Sequence, residues 1–495
     1  MKRFIPRLGW LTVVVLATGT VVVAAGRSGA AATTALPRTI PAVQRWTPGS
    51  GFYTFGPGSA VVADGAGLAG TAEAFAADVG SLTGAAVRWR VGGATQPGDI
   101  ELATGAAEGG PEGYRLTVGL TIAVLGNTDD GVFNGTRTIL QWLRQSRTIP
   151  AGTVDDWPEY PERGLLVDVG RQFLSLDWLR ARIREMSYLK LNYLYLHLSD
   201  KYGFRLESET HPEIVSAQHY TKQQISDLVA DGLRYHVQIV PEIDFPGHLD
   251  AILAAHPELR LVSSAGAVSD SDIDIADPAA LALVRDLLTE YLPLFPGRYW
   301  TLGGDEYVTN YADYPQLGGK DGFYRFLNWA NTIVRSAGKT MRIYNDGLTT
   351  GGSTVTIDPD IVVAYWSAAG PFGFPWAGNA ISPKELAEAG HSVQNMAFTP
   401  TYYTTGGPAA LFNTPPGLTY RWNPNTFVDG STLPNNLGSL VSVWCDNPNA
   451  QTEDQIAAAL FPRLRVLSQL TWGSPKPLLY LNFLSAMNST GQAPA

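Results

Sequence analysis

Beyond about residue 160 the hydrophobic positions alternate between two textures. Short, nearly solid apolar runs mark buried parallel strands, which are covered on both faces. They lie at residues 165–169, 193–198, 237–243, 299–302, 340–344, 361–366, 392–398 and 440–444. Between most of them apolar residues recur three and four apart. That spacing predicts helices over 177–189, 221–235, 278–292, 322–336, 383–389 and 452–467. The connection after the seventh run is long and has no helical period. Eight strand–helix units over residues 156–480 predict an α/β fold, a TIM (β/α)8 barrel. The rival is a doubly wound open sheet, and no strand–GxGxxG–helix fingerprint supports it.

Ahead of the barrel the texture is mixed. Residues 51–155 predict a small α/β N-terminal domain: helices at 71–82 and 129–145, short strands at 86–91 and 99–103, and a hairpin of 113–118 with 121–125. A Pro-rich joint, Asp155 to Pro161, leads into the barrel. Residues 1–32 have the layout of a signal peptide: Lys2, Arg3 and Arg7, then an apolar run, then small residues. The expectation is a secreted, extracellular protein of bacterial export, an uncleaved N-terminal anchor being the competing reading. Residues 33–50 are expected to be a linker and 481–495 a C-terminal tail.

Composition narrows the partners. The net charge of −10 lacks the basic footprint of nucleic-acid binding. Thirteen Trp and twenty-one Tyr suit stacking on flat apolar faces such as sugar rings, although most must sit in the core. Cys445 is the only cysteine, which excludes an internal disulfide.

In a barrel, reactive groups collect just after the strands, on the C-terminal face. Here the strand ends carry Asp168 and Arg171; His197 and Asp200; Glu242, Asp244 and His248; Asp305 and Glu306; Tyr344, Asn345 and Asp346; Trp366; Tyr402 and Tyr403; Trp444 and Asp446. Carboxylates, one Arg, two His and several aromatics around one mouth are the inventory of a sugar pocket. His197, Asp200, Asp244 and His248 could form a nitrogen–oxygen metal set. They lack the spacing of metal hydrolases, and Arg171 brings positive charge, so neither metal nor cofactor is expected. Gly303-Gly304-Asp305-Glu306 also opens the nucleotide-cyclase signature, but Tyr307 follows where that signature has Phe.

Two consecutive carboxylates at one strand end do not straddle a sugar ring, as the carboxylates of most glycosidases do. They suit a 2-acetamido sugar whose own carbonyl oxygen attacks the anomeric carbon and closes an oxazolinium ring. One carboxylate then orients the amide and its neighbour serves as acid and base. Repulsion between the two raises one pKa, which fits a general acid.

The segments from Arg163 to Phe173 and from His197 to Asp200, then Pro241 to His248 and Gly303 to Glu306, stand in the order of glycoside hydrolase family 20, the β-N-acetylhexosaminidases, and the chain resembles that family. The resemblance covers about residues 163–473, and the preceding segment resembles the family's small N-terminal domain. It implies Asp305 as the group orienting the acetamide and Glu306 as the acid/base. It implies Arg171, held by Asp200, as a clamp on O3 and O4, with His248 supporting the acid–base site. Trp366 and Trp444 would wall the acetamido pocket, with Tyr344 where the family often has Trp. Tyr402 or Tyr403, more naturally Tyr403, would bond the acetamido carbonyl. Asp446 sits where the family usually has a Glu contacting O4 and O6.

Three positions depart from the family pattern: Thr301 for His, Lys201 for a second Asp, and Asp446 for Glu. The expected reaction is removal of terminal β-linked GlcNAc or GalNAc, with retention. The shorter Asp446 makes room for a further sugar, as in the family's lacto-N-biosidases, which release Gal-β1,3-GlcNAc and carry Asp there. A non-catalytic sugar-binding relative is the reading from another class. The expected partner is a glycan with a 2-acetamido sugar, with no nucleic acid and no stable membrane partner.

Overall fold

The eight apolar runs form one closed parallel barrel. In the protein's computed structural model, residues 36–308, 310–367 and 380–494 are described. The barrel strands are, in order, Glu162–Asp168, Tyr193–His197, Gln238–Glu242, Tyr299–Gly303, Thr340–Tyr344, Val362–Tyr365, Val393–Asn395 and Gly438–Trp444. Each pairs in parallel with the next, and the eighth pairs with the first through Val443 and Val167. A bridge from Asn395 to Ser439 joins the seventh to the eighth. The helices Leu176–Tyr188, Lys222–Arg234, Pro278–Tyr291, Lys320–Ser336, Pro383–Glu388 and Glu453–Trp472 match the predicted ones to within a few residues. After the seventh strand come only short turns and an extra strand, Tyr402–Thr404, which lies along the end of the eighth.

Alternation along each strand divides its residues between two cores. On the fourth strand Trp300 and Leu302 face the helices, while Tyr299 faces the barrel interior with Leu166, Tyr195, Val240, Tyr344 and Leu440. The interior also holds a charge. Arg342 of the fifth strand donates to both carboxylate oxygens of Glu162 on the first strand, at 2.5 and 2.6 Å, and to Gln394 Oε1 at 3.0 Å. Its guanidinium lies 3.8 Å from the Tyr299 ring centroid. Arg342→Met removes the only cation paired with Glu162 among the described residues and strands that carboxylate in a dry interior. A loss of about 3–5 kcal/mol is expected, read as a lowered denaturant midpoint.

The N-terminal domain is a seven-stranded mixed sheet in the order Arg45–Thr54, Thr148–Asp156, Tyr114–Val118, Ile122–Gly126, Ile100–Thr104, Ala60–Ala63 and Arg88–Val91. Helices Ala69–Thr83 and Asp129–Gln145 pack on it. Its first strand begins inside the expected linker. Pro48 and a bulge between Pro48 and Phe52 break the alternation that would have announced that strand. Asp156, in the expected joint, is fully buried. It accepts from Lys190 Nζ at 2.9 Å and from Trp472 Nε1 at 2.8 Å, which fastens the domain to the barrel.

The described part of the expected tail, residues 481–494, carries a helix. Helix Tyr480–Thr490 buries Phe483 and Met487, and the Thr490 carbonyl accepts from the Tyr188 hydroxyl at 2.6 Å. The expected signal segment lies outside the described residues. Among the described residues no helix is long and apolar enough to cross a membrane.

Candidate active site

The carboxylate pair at the fourth strand sits in a backbone built around a third carboxylate. Gly303 and Gly304 have φ of +82° and +83°, the left-handed region that glycine adopts without strain. A Cβ on Gly303 would stand 1.8 Å from Asp244 Oδ1. The glycine is therefore required by the neighbouring strand end rather than by a ligand. Gly304 N–H donates to the same Asp244 oxygen at 3.0 Å. Two non-glycine residues beside it, His248 at φ +57° and Glu306 at +51°, are also left-handed. Such strain persists only where surrounding contacts impose it. For Glu306 one such contact is its N–H, which donates to Asp346 Oδ2 at 2.7 Å.

Arg171 is nearly buried and gathers the strand ends. Its guanidinium reaches Asp168 Oδ2 at 3.0 Å, Asp200 Oδ2 at 2.8 Å and Asp446 Oδ1 at 3.9 Å. Asp168 also accepts from the Arg171 and Cys445 backbone N–H groups, at 2.8 and 3.0 Å, so the first and eighth strands aim the arginine together. Asp200 is shared with His197 Nε2 at 2.8 Å and His248 Nδ1 at 3.4 Å. His248 Nε2 then faces Glu306 Oε2 at 3.4 Å and Asp305 Oδ2 at 3.7 Å.

The charges follow from these contacts. Burial opposes charge on His248, but Asp200, Glu306 and Asp305 around it prevail and hold its pKa well above the ordinary histidine value. Burial likewise opposes ionisation of Asp200, and His248, Arg171 and His197 reverse this, holding it well below. Asp244 is pushed well up by burial and by the neighbouring Asp305. Burial raises Asp305, against the pull of His248. Glu306 ends lowered, because its bond to His248 and the charges of His248 and Arg171 outweigh burial. The sequence predicts one raised pKa, suited to the acid. The raised group is Asp305 instead, because His248 stands against Glu306.

The pocket between these groups is about 470 Å³, lined among others by Arg171, Asp305, Glu306, Trp366, Tyr402 and Trp444. Tyr402 stacks on Trp366, centroids 6.1 Å apart at 13°, and leans on Trp444 at 5.8 Å. Trp366 Nε1 donates to Asp346 Oδ1 at 3.0 Å. Asp446 lies at the mouth, its side chain about one-third exposed.

Two expected residues stand elsewhere. Tyr403 points away from the pocket, its hydroxyl donating to Gln451 Oε1 at 2.7 Å and its ring under Arg463. Neighbours on a strand face opposite sides, so Tyr402 occupies the pocket. Tyr344 forms no wall: it is buried in the barrel and donates to Glu242 at 2.9 Å. Glu242 in turn bonds His197 Nδ1 at 2.5 Å. Asp168, Asp244 and Asp346 hold neighbouring groups in place, whereas the sequence reading named them only among the strand-end residues, with Asp244 also in the metal set. Their strand-end placement was the available signal.

Two groups of donors could converge on a cation here: His197 with Glu242 and Asp244, and Asp244 with His248 and Asp305. Both nitrogens of His197 already face carboxylates, and its pKa is also held well up.

Comparison with known proteins agrees with the two-part fold. The family described as "Glycosyl hydrolase family 20, catalytic domain" matches residues 160–475, and "Glycosyl hydrolase family 20, domain 2" matches 36–157. A lacto-N-biosidase of Bifidobacterium bifidum is 32% identical over 91% of this chain, which spans 41% of that protein's length. A β-N-acetylhexosaminidase of Cellulomonas fimi is 28% identical over 81% of this chain and 83% of its own. The solved family 20 β-N-acetylhexosaminidase of Streptomyces coelicolor A3(2) superposes with a TM-score of 0.74 at 25% identity, covering 92% of this chain and 94% of that one.

Proposed function

Because this chain belongs to glycoside hydrolase family 20, we propose that it is a retaining glycosidase of the lacto-N-biosidase kind, releasing Gal-β1,3-GlcNAc from the end of a glycan. The likeness to the bifidobacterial lacto-N-biosidase over nine-tenths of the chain carries the choice between a disaccharide and a single sugar. The shape of the mouth supports it. Asp446, shorter than a glutamate, leaves space beside O4 and O6. The rim beyond it carries Lys201, Tyr202, Pro408 and Phe412, with Tyr202 and Phe412 each about half exposed and able to receive a second ring.

The chemistry takes two steps. With the 2-acetamido ring between Trp366, Tyr402 and Trp444, Asp305 accepts the amide N–H and turns the carbonyl oxygen toward the anomeric carbon. That oxygen attacks, the glycosidic bond breaks, and the leaving oxygen takes the proton of Glu306. The oxazolinium charge is balanced by Asp305. Glu306, now a carboxylate, takes a proton from water as that water attacks the anomeric carbon and reopens the ring. Two inversions give retention. Arg171, fixed by Asp168 and Asp200, holds ring hydroxyls, and Tyr402 takes the acetamido-carbonyl role.

The test compares aryl β-lacto-N-bioside with aryl β-GlcNAc and aryl β-GalNAc, each with and without a thiazoline inhibitor. Turnover of the disaccharide glycoside, suppressed by thiazoline, is expected. Efficient turnover of the monosaccharide glycosides alone assigns an exo-hexosaminidase, and turnover of none of the three assigns a binding protein. Thiazoline-insensitive turnover excludes substrate assistance.

A further inference from the structure

Away from the pocket, two of the seven histidines meet over one carboxylate oxygen. His211 Nδ1 lies 3.0 Å and His256 Nε2 2.9 Å from Glu213 Oε1. His211 precedes the short turn Pro212–Ile214 in the excursion after the second strand. His256 ends helix Asp250–Ala255, which starts two residues beyond His248. The far nitrogen of each ring also faces a carboxylate: His211 Nε2 lies 3.4 Å from Asp286 Oδ2, and His256 Nδ1 3.2 Å from Glu258 Oε1.

Counting protons makes this arrangement informative. A neutral imidazole has one N–H and one lone pair. Each ring here has carboxylates on both sides, so in its neutral form it turns a lone pair toward one of them. A cation at the near nitrogens removes the conflict. Each far N–H then donates to its outer carboxylate, the second layer that orients metal-bound histidines. The three ligand atoms already lie within 4.8 Å of one another. Tetrahedral zinc needs ligand atoms about 3.3 Å apart, a movement of less than about 1.5 Å for side chains that are part exposed. Two imidazoles and one carboxylate form a nitrogen–oxygen set suited to zinc among the biological divalent ions.

We propose that His211, Glu213 and His256 bind one zinc ion, with solvent completing the coordination, and that Asp286 and Glu258 orient the two imidazoles. The ion would clip together three elements outside the barrel mouth: the excursion after the second strand, the helix after the third, and helix Pro278–Tyr291, which carries Asp286. Its work would be structural, pinning the segment that runs on from His248.

The experiment uses the full, untagged chain, stripped with chelator and titrated with ZnCl2 in a calorimeter, with CoCl2 absorption as a second reading. One equivalent is expected, with a tetrahedral cobalt spectrum and a raised melting temperature. His211→Gln/His256→Gln should lose the binding and the thermal shift while its melting temperature in chelator stays at the wild-type value. Asp286→Asn should weaken binding by about 10–100-fold. Three results overturn the proposal: no binding up to millimolar zinc, binding undiminished in the double variant, which puts the ion elsewhere, or an Asp286→Asn affinity equal to wild type.

Discussion

Glu306→Gln is expected to lower kcat by about 10²–10⁴-fold on glycosides with poor leaving groups, and far less on activated aryl glycosides. The dependence on leaving group is the diagnostic part. A sugar alkoxide cannot depart without a proton, whereas a nitrophenolate can. Glutamine keeps the shape of the side chain and the Glu306 N–H bond to Asp346, so the melting temperature should hold. Less than tenfold loss on a sugar leaving group would remove Glu306 from the acid role.

The same residue gives a pH signature. In the open pocket Glu306 is lowered by His248 and Arg171, against the effect of burial. A sugar ring seated over it excludes water and further disfavours its charge, so its pKa rises on binding. The alkaline limb of kcat, which reports the complex, should therefore lie at higher pH than that of kcat/KM, which reports the free enzyme. Coincident limbs would show that substrate does not retune Glu306.

Much of this site was legible from residue order, because a barrel places strand ends on one face whatever its helices do. Eight solid apolar runs gave the barrel, and the residues after them gave Arg171, Asp305, Glu306, Trp366, Trp444 and Asp446. What escaped depended on facing and on neighbours. Tyr402 and Tyr403 differ by one step of a period-two strand, and only its pairing with the eighth strand, Tyr403 beside Val443, decides which ring enters the pocket. Tyr344 ends a strand like Trp366, yet it turns down to Glu242. The partner of Gly303 is Asp244, some sixty positions away, and no local pattern announces that contact. Arg45–Thr54 was hidden for a different reason, since Pro48 and a bulge erase the alternation on which strand reading depends.

Asp305→Asn should cost about 10²–10³-fold in kcat whatever the leaving group, because it removes the charge facing the oxazolinium ring in every 2-acetamido substrate. The contrast with Glu306→Gln separates the two roles. A thiazoline, which mimics the closed ring, should bind Asp305→Asn far more weakly than wild type and Glu306→Gln only modestly so. The setting explains why the aspartate can keep its charge. It is pushed up by burial, but His248, 3.7 Å away, pulls against that. With Asp305 as the carboxylate of the proposed mechanism, kcat must fall as pH drops through its raised pKa. The acid limb of kcat, which reports the complex in which bound sugar has raised Glu306, is therefore expected above the ordinary aspartate value of about 3.9. A limb at or below that value, or an Asp305→Asn loss that varies with leaving group, would reassign the orienting role.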